Sequence, residues 1–255
     1  MDGYWQSYLT VAAIGLVFAG LERLRPARRP PGFTLRRYLT DLLHLSLGGL
    51  AIRLGATVAL ALVLDTLGKP LGSSTLPIWL QLVAVLVVSD LMFWIAHRLC
   101  HAIPWLWEFH RIHHSSEHLD WLAAYRVHPA DQIFNSTVIA LPALLLGFSP
   151  TAILAYGVIY QWHAILLHSN VRVSLGPLAR FVTGPQFHHW HHADQPEAYD
   201  RNFGGQLVIW DRLFGTAFEP ASARPQRYGV DDPPRENFVA HLVSPFLRRL
   251  PQWQT

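Results

Sequence analysis

Charge, lysine and cysteine are all scarce in this chain of 255 residues. Only 15% of residues are charged, against about 25% in soluble domains, while 51% are hydrophobic and 12% aromatic. That balance places much of the chain in a bilayer. Lys69 is the only lysine, and the net charge of +3 is carried by arginines that gather beside apolar segments. Basic residues striped along one folded face, as nucleic-acid binding requires, are missing; lipid head groups are the expected contact. A single cysteine, Cys100, excludes an intramolecular disulfide, a four-cysteine zinc site and a protein-bound iron–sulfur cluster. No dinucleotide fingerprint, CxxCH haem attachment or HExxH zinc motif occurs.

Long apolar runs are plentiful. Gly3 to Leu21 is uncharged and close to the roughly 20 residues that cross a bilayer as a helix. With Asp2 in place of a basic n-region, it is expected to be a retained first span and not a cleaved signal. Arg23, Arg25, Arg28, Arg29, Arg36 and Arg37 follow, broken by Pro26, Pro30, Pro31 and Gly32, and mark the cytoplasmic loop by the positive-inside rule. A second span is expected over Leu39 to Leu64, with Arg53 facing the bundle interior or a head group, or with the segment partly in the interface. A short connection over 65–76 leads to a third span from Pro77 to Ala96. Ile133 to Leu146 and Thr151 to Leu167, parted by Gly147-Phe148-Ser149-Pro150, reach about 21 and 25 Å as helices, the lengths of a dipping hairpin or of two crossings. The expected fold is all-α: a multi-pass membrane helical bundle of about three to five segments with a cytosolic histidine-rich metal-binding cap. Domain limits are set at 1–89, 90–216 and 217–255.

Histidine is in excess. There are fifteen, most of them between His97 and His192. His97 and His101 stand one turn apart on a helix continuing from the third span. His110, His113 and His114 share one helical face at i, i+3 and i+4, and His188, His191 and His192 repeat that spacing. Eight imidazoles exceed the need of one tetrahedral zinc and match two metals with about four nitrogens each, but imidazole suits iron, zinc, copper or nickel equally. Asp90, two turns before His97, is expected to orient a ligand imidazole, or else to pair with Arg53 or Arg98. His189, His128, His163 and His118 read as supporting or surface residues, and His44 and His241 as ordinary. Tryptophans 105, 107, 121, 162 and 190 read as interfacial anchors or packing.

HRLCH at 97–101, HRIHH at 110–114 and HHWHH at 188–192, in that order around an apolar hairpin, resemble the fatty acid hydroxylase and sterol desaturase superfamily of integral-membrane di-iron oxygenases. Asp90, the stretches 126–129 and 168–170, and Trp210 to Thr216 extend the resemblance over about 90–216. It implies His97, His101, His110, His113, His114, His188, His191 and His192 as ligands, with His168 as a ninth. It also implies two iron ions, dioxygen as co-substrate, and a lipid oxidised to an alcohol or an alkene. HSNVRVSLGPL from His168 looks somewhat like alkylglycerol monooxygenases. Electrons then come from a separate protein, ferredoxin or cytochrome b5-like, docked near Arg98, Arg111 and Arg201. The expected location is the cytoplasmic membrane, active site on the cytosolic face. Two readings from other classes stand beside this one: a histidine-rich metal-binding or transport protein, and a zinc-dependent hydrolase.

Overall fold

The computed structural model describes residues 2–29, 32–67, 72–220 and 224–247. Lys69, Pro30, Pro31 and the end of the C-terminal tail lie outside the described residues. The order is α1 (Asp2–Leu24), α2 (Leu35–Leu43), a π turn (His44–Gly48), α3 (Gly49–Leu67), α4 (Ile78–Ala102), α5 (Pro104–His114), α6 (Pro129–Leu145), α7 (Pro150–His168), α8 (Pro185–His191), α9 (Ile209–Leu213) and α10 (Phe238–Leu247). Among the described residues there is no β-strand, only three isolated bridges.

Among the described residues, three segments are long and apolar enough to cross a membrane: Leu35–Leu67, Ile78–Ala102 and Pro150–His168. The second expected span is thus longer at both ends, because α2 runs through the π turn into α3 without a break. The third runs on to Ala102, which puts His97 and His101 on one continuous helix. Arg53 lies exposed on the outer face of α3 and not in the bundle interior.

The chain reverses between α3 and α4 and again between α6 and α7, and the bundle is held by α6 packing on both α3 and α4 and by α4 packing on α7. Val85, Ile139, Ala143, Ala152 and Tyr156 form the core between them. The two reversals abut at the far end. Gly147 has φ +70°, and a Cβ there would meet Gly72 O at 1.7 Å, so only glycine fits. Gln81 Oε1 accepts from Ser149 N at 2.8 Å, and Ser149 Oγ caps α7 by accepting from Ala152 N at 3.2 Å. Because the chain reverses there twice, α4 ends, α6 begins and α7 ends at the opposite pole, where the histidines are.

Buried polar contacts tie the N- and C-terminal segments to that pole. Glu22 on α1 accepts from Trp121 N and Asn170 N at 2.8 and 2.9 Å. The arginine-rich loop is partly folded in and not wholly turned to head groups: Arg37 is buried against Asp120 at 2.7 Å. Arg126, fully buried, pairs with Asp41 at 2.7 Å and with Glu236 at 2.8 Å. His44 and His241, expected to be ordinary, meet at 3.0 Å in the same buried region.

Removing one partner of a buried ion pair strands the other charge, at a cost of about 3–5 kcal/mol. Asp41→Asn is therefore expected to lower stability by about that much in denaturant titrations in detergent. Glu219→Gln, which breaks an exposed pair with Arg212, is expected to cost less than about 1 kcal/mol.

Candidate metal centre

Nine histidines converge at this pole in two buried or nearly buried groups. His97, His101, His110, His114 and His191 form the first, and His113, His168, His188 and His192 the second; within each, the candidate ligand atoms lie within 4.8 Å of one another. Nitrogens on opposite sides of one ion lie about 4.2 Å apart, given metal–nitrogen bonds of about 2.1 Å, so each group is close to the size of one coordination shell. Each triple motif is divided. One turn of α5 sends His110 and His114 to the first group and His113 to the second. On α8, His188 and His192 go to the second and His191 to the first.

Hydrogen bonds at Nδ1 fix how most of these rings are protonated. His97 donates to Phe203 O at 2.9 Å, His113 to Arg126 O at 3.2 Å, His168 to Ala164 O at 2.7 Å and His191 to Arg201 O at 2.7 Å. A carbonyl oxygen only accepts, so each of these Nδ1 atoms carries the hydrogen and each Nε2 is a bare lone pair. His110 and His101 use carboxylates instead, Asp131 and Asp200, each at 3.2 Å.

The bare nitrogens have no proton to share. Nε2 of His97, His110 and His191 is buried without a hydrogen-bond partner. His113 Nε2 and His168 Nε2, both bare, face each other at 3.1 Å. Lone pairs opposed at that distance repel. A proton between them is disfavoured, because burial, helped by neighbouring histidines, lowers His113, His114, His188 and His192 well below the ordinary histidine value, and burial pushes His191 down to about 3. A metal ion in each group turns these repulsions into coordination, and neutral imidazole is the form a metal needs. The donor set therefore fits two ions.

Two cavities flank the cluster. One of about 340 Å³ is reached by His101, His114 and His191, with Trp107, Asp194 and Asp200 on its wall. The other, about 390 Å³, lies among α3, α4, α6 and α7 and touches His97, His110, His113, His168 and His188.

Several expectations change. Asp90 contacts neither an imidazole nor an arginine. It accepts from Gln206 N, Leu207 N and Trp210 Nε1 at 2.7, 3.0 and 3.0 Å, so it fixes the loop that presents Phe203 O to His97. Carboxylates meet two of the clustered rings, Asp200 at His101 and Asp131 at His110; sequence spacing from the histidines singled out neither, and the buried one is Asp131. Its one signal is the position two residues after Pro129, at the start of α6. Arg111 is buried, with Glu108 at 3.7 Å, and is not a surface docking residue; Arg98 is exposed beside Trp94. His189 points away from both groups, to Tyr228 OH at 3.0 Å. His128 caps α6 through Ala130 N, His163 bonds Thr183 O, and His118 is exposed. Trp105 and Trp162 are exposed as anchors would be, whereas Trp190 is buried against Phe218 and Trp107 packs on His101.

The fold and the site together define a helical membrane bundle with nine clustered imidazoles at one pole. Residues 82–216, more than half of the chain, match the fatty acid hydroxylase family model, and the chain belongs to that family. It is similar to ornithine lipid hydroxylase OlsE of Rhizobium tropici, 30% identical over 95% of this chain and 75% of that protein. It is also similar to the alkylglycerol monooxygenases of Danio rerio and Homo sapiens, at 36% and 33% identity over 61% of this chain. The chain spans about a third of the length of those two monooxygenases, 34% of each. No solved structure matches.

Asp131 also accepts from Asn135 Nδ2 at 3.0 Å, so its side chain is held toward His110. Asp131→Asn is expected to weaken metal binding by roughly 10–100-fold, measured by competition with a chelator. A second expectation concerns pH. Between about 6.5 and about 3 the unfolded chain takes up protons that the buried rings refuse. Metal-free protein should lose stability progressively as pH falls through that window and be unaffected by pH just above it, as read from denaturation midpoints after chelation.

Proposed function

We propose that this chain is a membrane oxygenase that hydroxylates a C–H bond of a lipid at two iron ions, with dioxygen as co-substrate. The observation that carries the reading is the pair of buried histidine groups abutting one cavity that lies among candidate membrane spans and whose described lining holds no arginine, lysine or glutamate. His97, His101, His110, His114 and His191 would hold one ion, and His113, His168, His188 and His192 the other. Iron so held supplies reductive activation of dioxygen and hydrogen removal from an unactivated carbon. The balance is RH + O2 + 2 e⁻ + 2 H⁺ → ROH + H2O; a second hydrogen removal in place of oxygen transfer gives an alkene.

The chain's own residues do the remaining work. Carbonyls of Phe203, Arg126, Ala164 and Arg201 orient the rings, Asp131 adds negative charge to an otherwise neutral ligand set, and the packed bundle keeps bulk water from the reacting carbon. Segment 90–216 is the catalytic part in this reading, after N-terminal spans in 1–89 and before a tail over 217–255. The two electrons come from a separate ferredoxin or cytochrome b5-like protein, since no redox-cofactor motif is present. The histidine pole faces the cytosol of the cytoplasmic membrane, by the arginine-rich loop. The names of the relatives, an ornithine lipid hydroxylase and alkylglycerol monooxygenases, favour a polar lipid as substrate.

Transport is disfavoured because the ligands sit at one end of the helices and not along a path through their middle. Zinc hydrolysis needs a carboxylate base beside the metal, and the two carboxylates bonded to the cage rings, Asp131 and Asp200, each face an Nδ1.

The test is iron analysis and Mössbauer spectroscopy of protein purified without oxygen, with oxygen uptake on lipid extract and a reduced donor. Two coupled irons per chain, fewer than two in each of His113→Ala and His191→Ala, and one oxygen consumed per hydroxylated lipid are expected. A single zinc, or metal content indifferent to both substitutions, overturns the reading.

A further inference from the structure

The outer contacts of the two histidine groups come from different parts of the chain. In the first group, three of the five rings are held by residues from one stretch of four: Asp200 Oδ1 lies 3.2 Å from His101 Nδ1, Arg201 O accepts from His191 Nδ1 at 2.7 Å, and Phe203 O accepts from His97 Nδ1 at 2.9 Å. The Phe203 ring packs on the same three imidazoles, with centroids 5.1–5.7 Å away. In the second group, His113 is held by Arg126 O and His168 by Ala164 O, at 3.2 and 2.7 Å, while Nδ1 of His188 and of His192 has no hydrogen-bond partner. The stretch from Asp200 to Phe203 thus serves one metal group and not the other.

These four residues lie outside any helix, so side chains must hold them. Asp200 at φ +55° and Asn202 at φ +60° are both left-handed, and Asp and Asn tolerate that region better than other non-glycine residues. Asn202 is fully buried with its amide saturated: Nδ2 donates to Phe187 O and Phe218 O, both at 2.9 Å, and Oδ1 accepts from Phe218 N at 2.7 Å. Its backbone N donates to Thr216 O at 3.0 Å. Just beyond, Asp211 accepts from Phe203 N and Gly204 N at 2.9 and 2.6 Å, and a Cβ at Gly204 would meet Leu207 O at 2.6 Å. None of these contacts reaches a ligand ring; by fixing the peptides on either side of Asn202 they aim Arg201 O and Phe203 O at the cage. We infer that residues 200–203 form a positioning loop dedicated to one of two metal sites, with Asn202 as its strut, so that the affinities of the two ions are set separately. The inference rests on the two-ion part of the proposed function and not on iron or oxidation. Asp200 offers a handle on the loop that leaves the core alone, because its side chain is 73% exposed. It lines the cavity of about 340 Å³ that touches His101, His114 and His191 and no ring of the second group.

The experiment is chelator competition on the full-length protein in detergent, loaded with Zn²⁺ as a probe that needs no reductant, with metal per chain read by mass spectrometry. Wild type is expected to hold two ions. Asp200→Gly keeps the left-handed backbone and removes the contact to His101; it should weaken one ion by roughly tenfold and leave the other unchanged. Asn202→Gly frees both carbonyls and should weaken the same ion by up to about 100-fold. Asp200→Asn retains an acceptor oxygen and should stay close to wild type. Joining His113→Ala with His188→Ala leaves the second group two rings and costs it its ion; the ion that survives should be the one that Asp200→Gly weakens. Both ions weakened alike by the loop variants, as general damage to the fold would do, overturns the inference, as does a surviving ion indifferent to Asp200→Gly. If one ion alone responds while iron-loaded protein oxidises no lipid, the oxygenase reading fails and the positioning role stands. If lipid is oxidised but both ions respond alike, the reverse holds, and a single ion in wild type overturns both.

Discussion

Everything at the histidine pole depends on one constraint: an imidazole that donates from Nδ1 to a fixed carbonyl leaves Nε2 bare. Phe203, Arg126, Ala164 and Arg201 each supply such a carbonyl. Each comes from backbone that is itself held in place. Ala164 O belongs to the same helix as His168, whereas Phe203 lies in a loop whose amides reach Asp211 at 2.6–2.9 Å and Asp90 at 2.7–3.0 Å. The cage is thus pre-organised by second-nitrogen contacts made outside it, which leave unmatched lone pairs gathered within it.

The bundle supplies the convergence. Two chain reversals at the same far end deliver the close of α4, the start of α6 and the close of α7 to one pole, with α5 and α8 lying across it. Arg126 joins this framework to both terminal segments, since its guanidinium pairs with Asp41 and Glu236 while its carbonyl receives His113. Residues far apart in sequence therefore share responsibility for one ligand ring. Away from the imidazoles, the cavity lining passes to amide and aromatic side chains such as Gln132, Asn135, Phe93 and Tyr160, with Asp131 turned to His110.

Legibility followed the range of the interaction. His97, His101, His110, His113, His114, His188, His191 and His192 stood out because helical spacing of 3 and 4 is a local property. The apolar runs stood out because crossing length is a sum over adjacent residues. Asp90 shows the limit. Its place on the same face as His97 was readable, but its partners, Gln206, Leu207 and Trp210, lie about 120 positions away and no periodicity links them. Asp131, Arg126 and Glu236 were obscure for the same reason, and Arg111 resembled any surface arginine until folding buried it against Glu108 and the backbone near Asp232.

By itself the sequence determined the class: a helical membrane protein with a histidine cluster, since composition, run length and spacing need no knowledge of what folds against what. Only the tertiary structure decided how the cluster is shared out. One turn of α5 sends two rings to one group and the third to the other, α8 does the reverse, and His168 arrives from the end of α7. The choice depends on where each ring points once α4, α5, α7 and α8 are packed together. That is a property of three-dimensional crossing, which spacing along one helix does not encode.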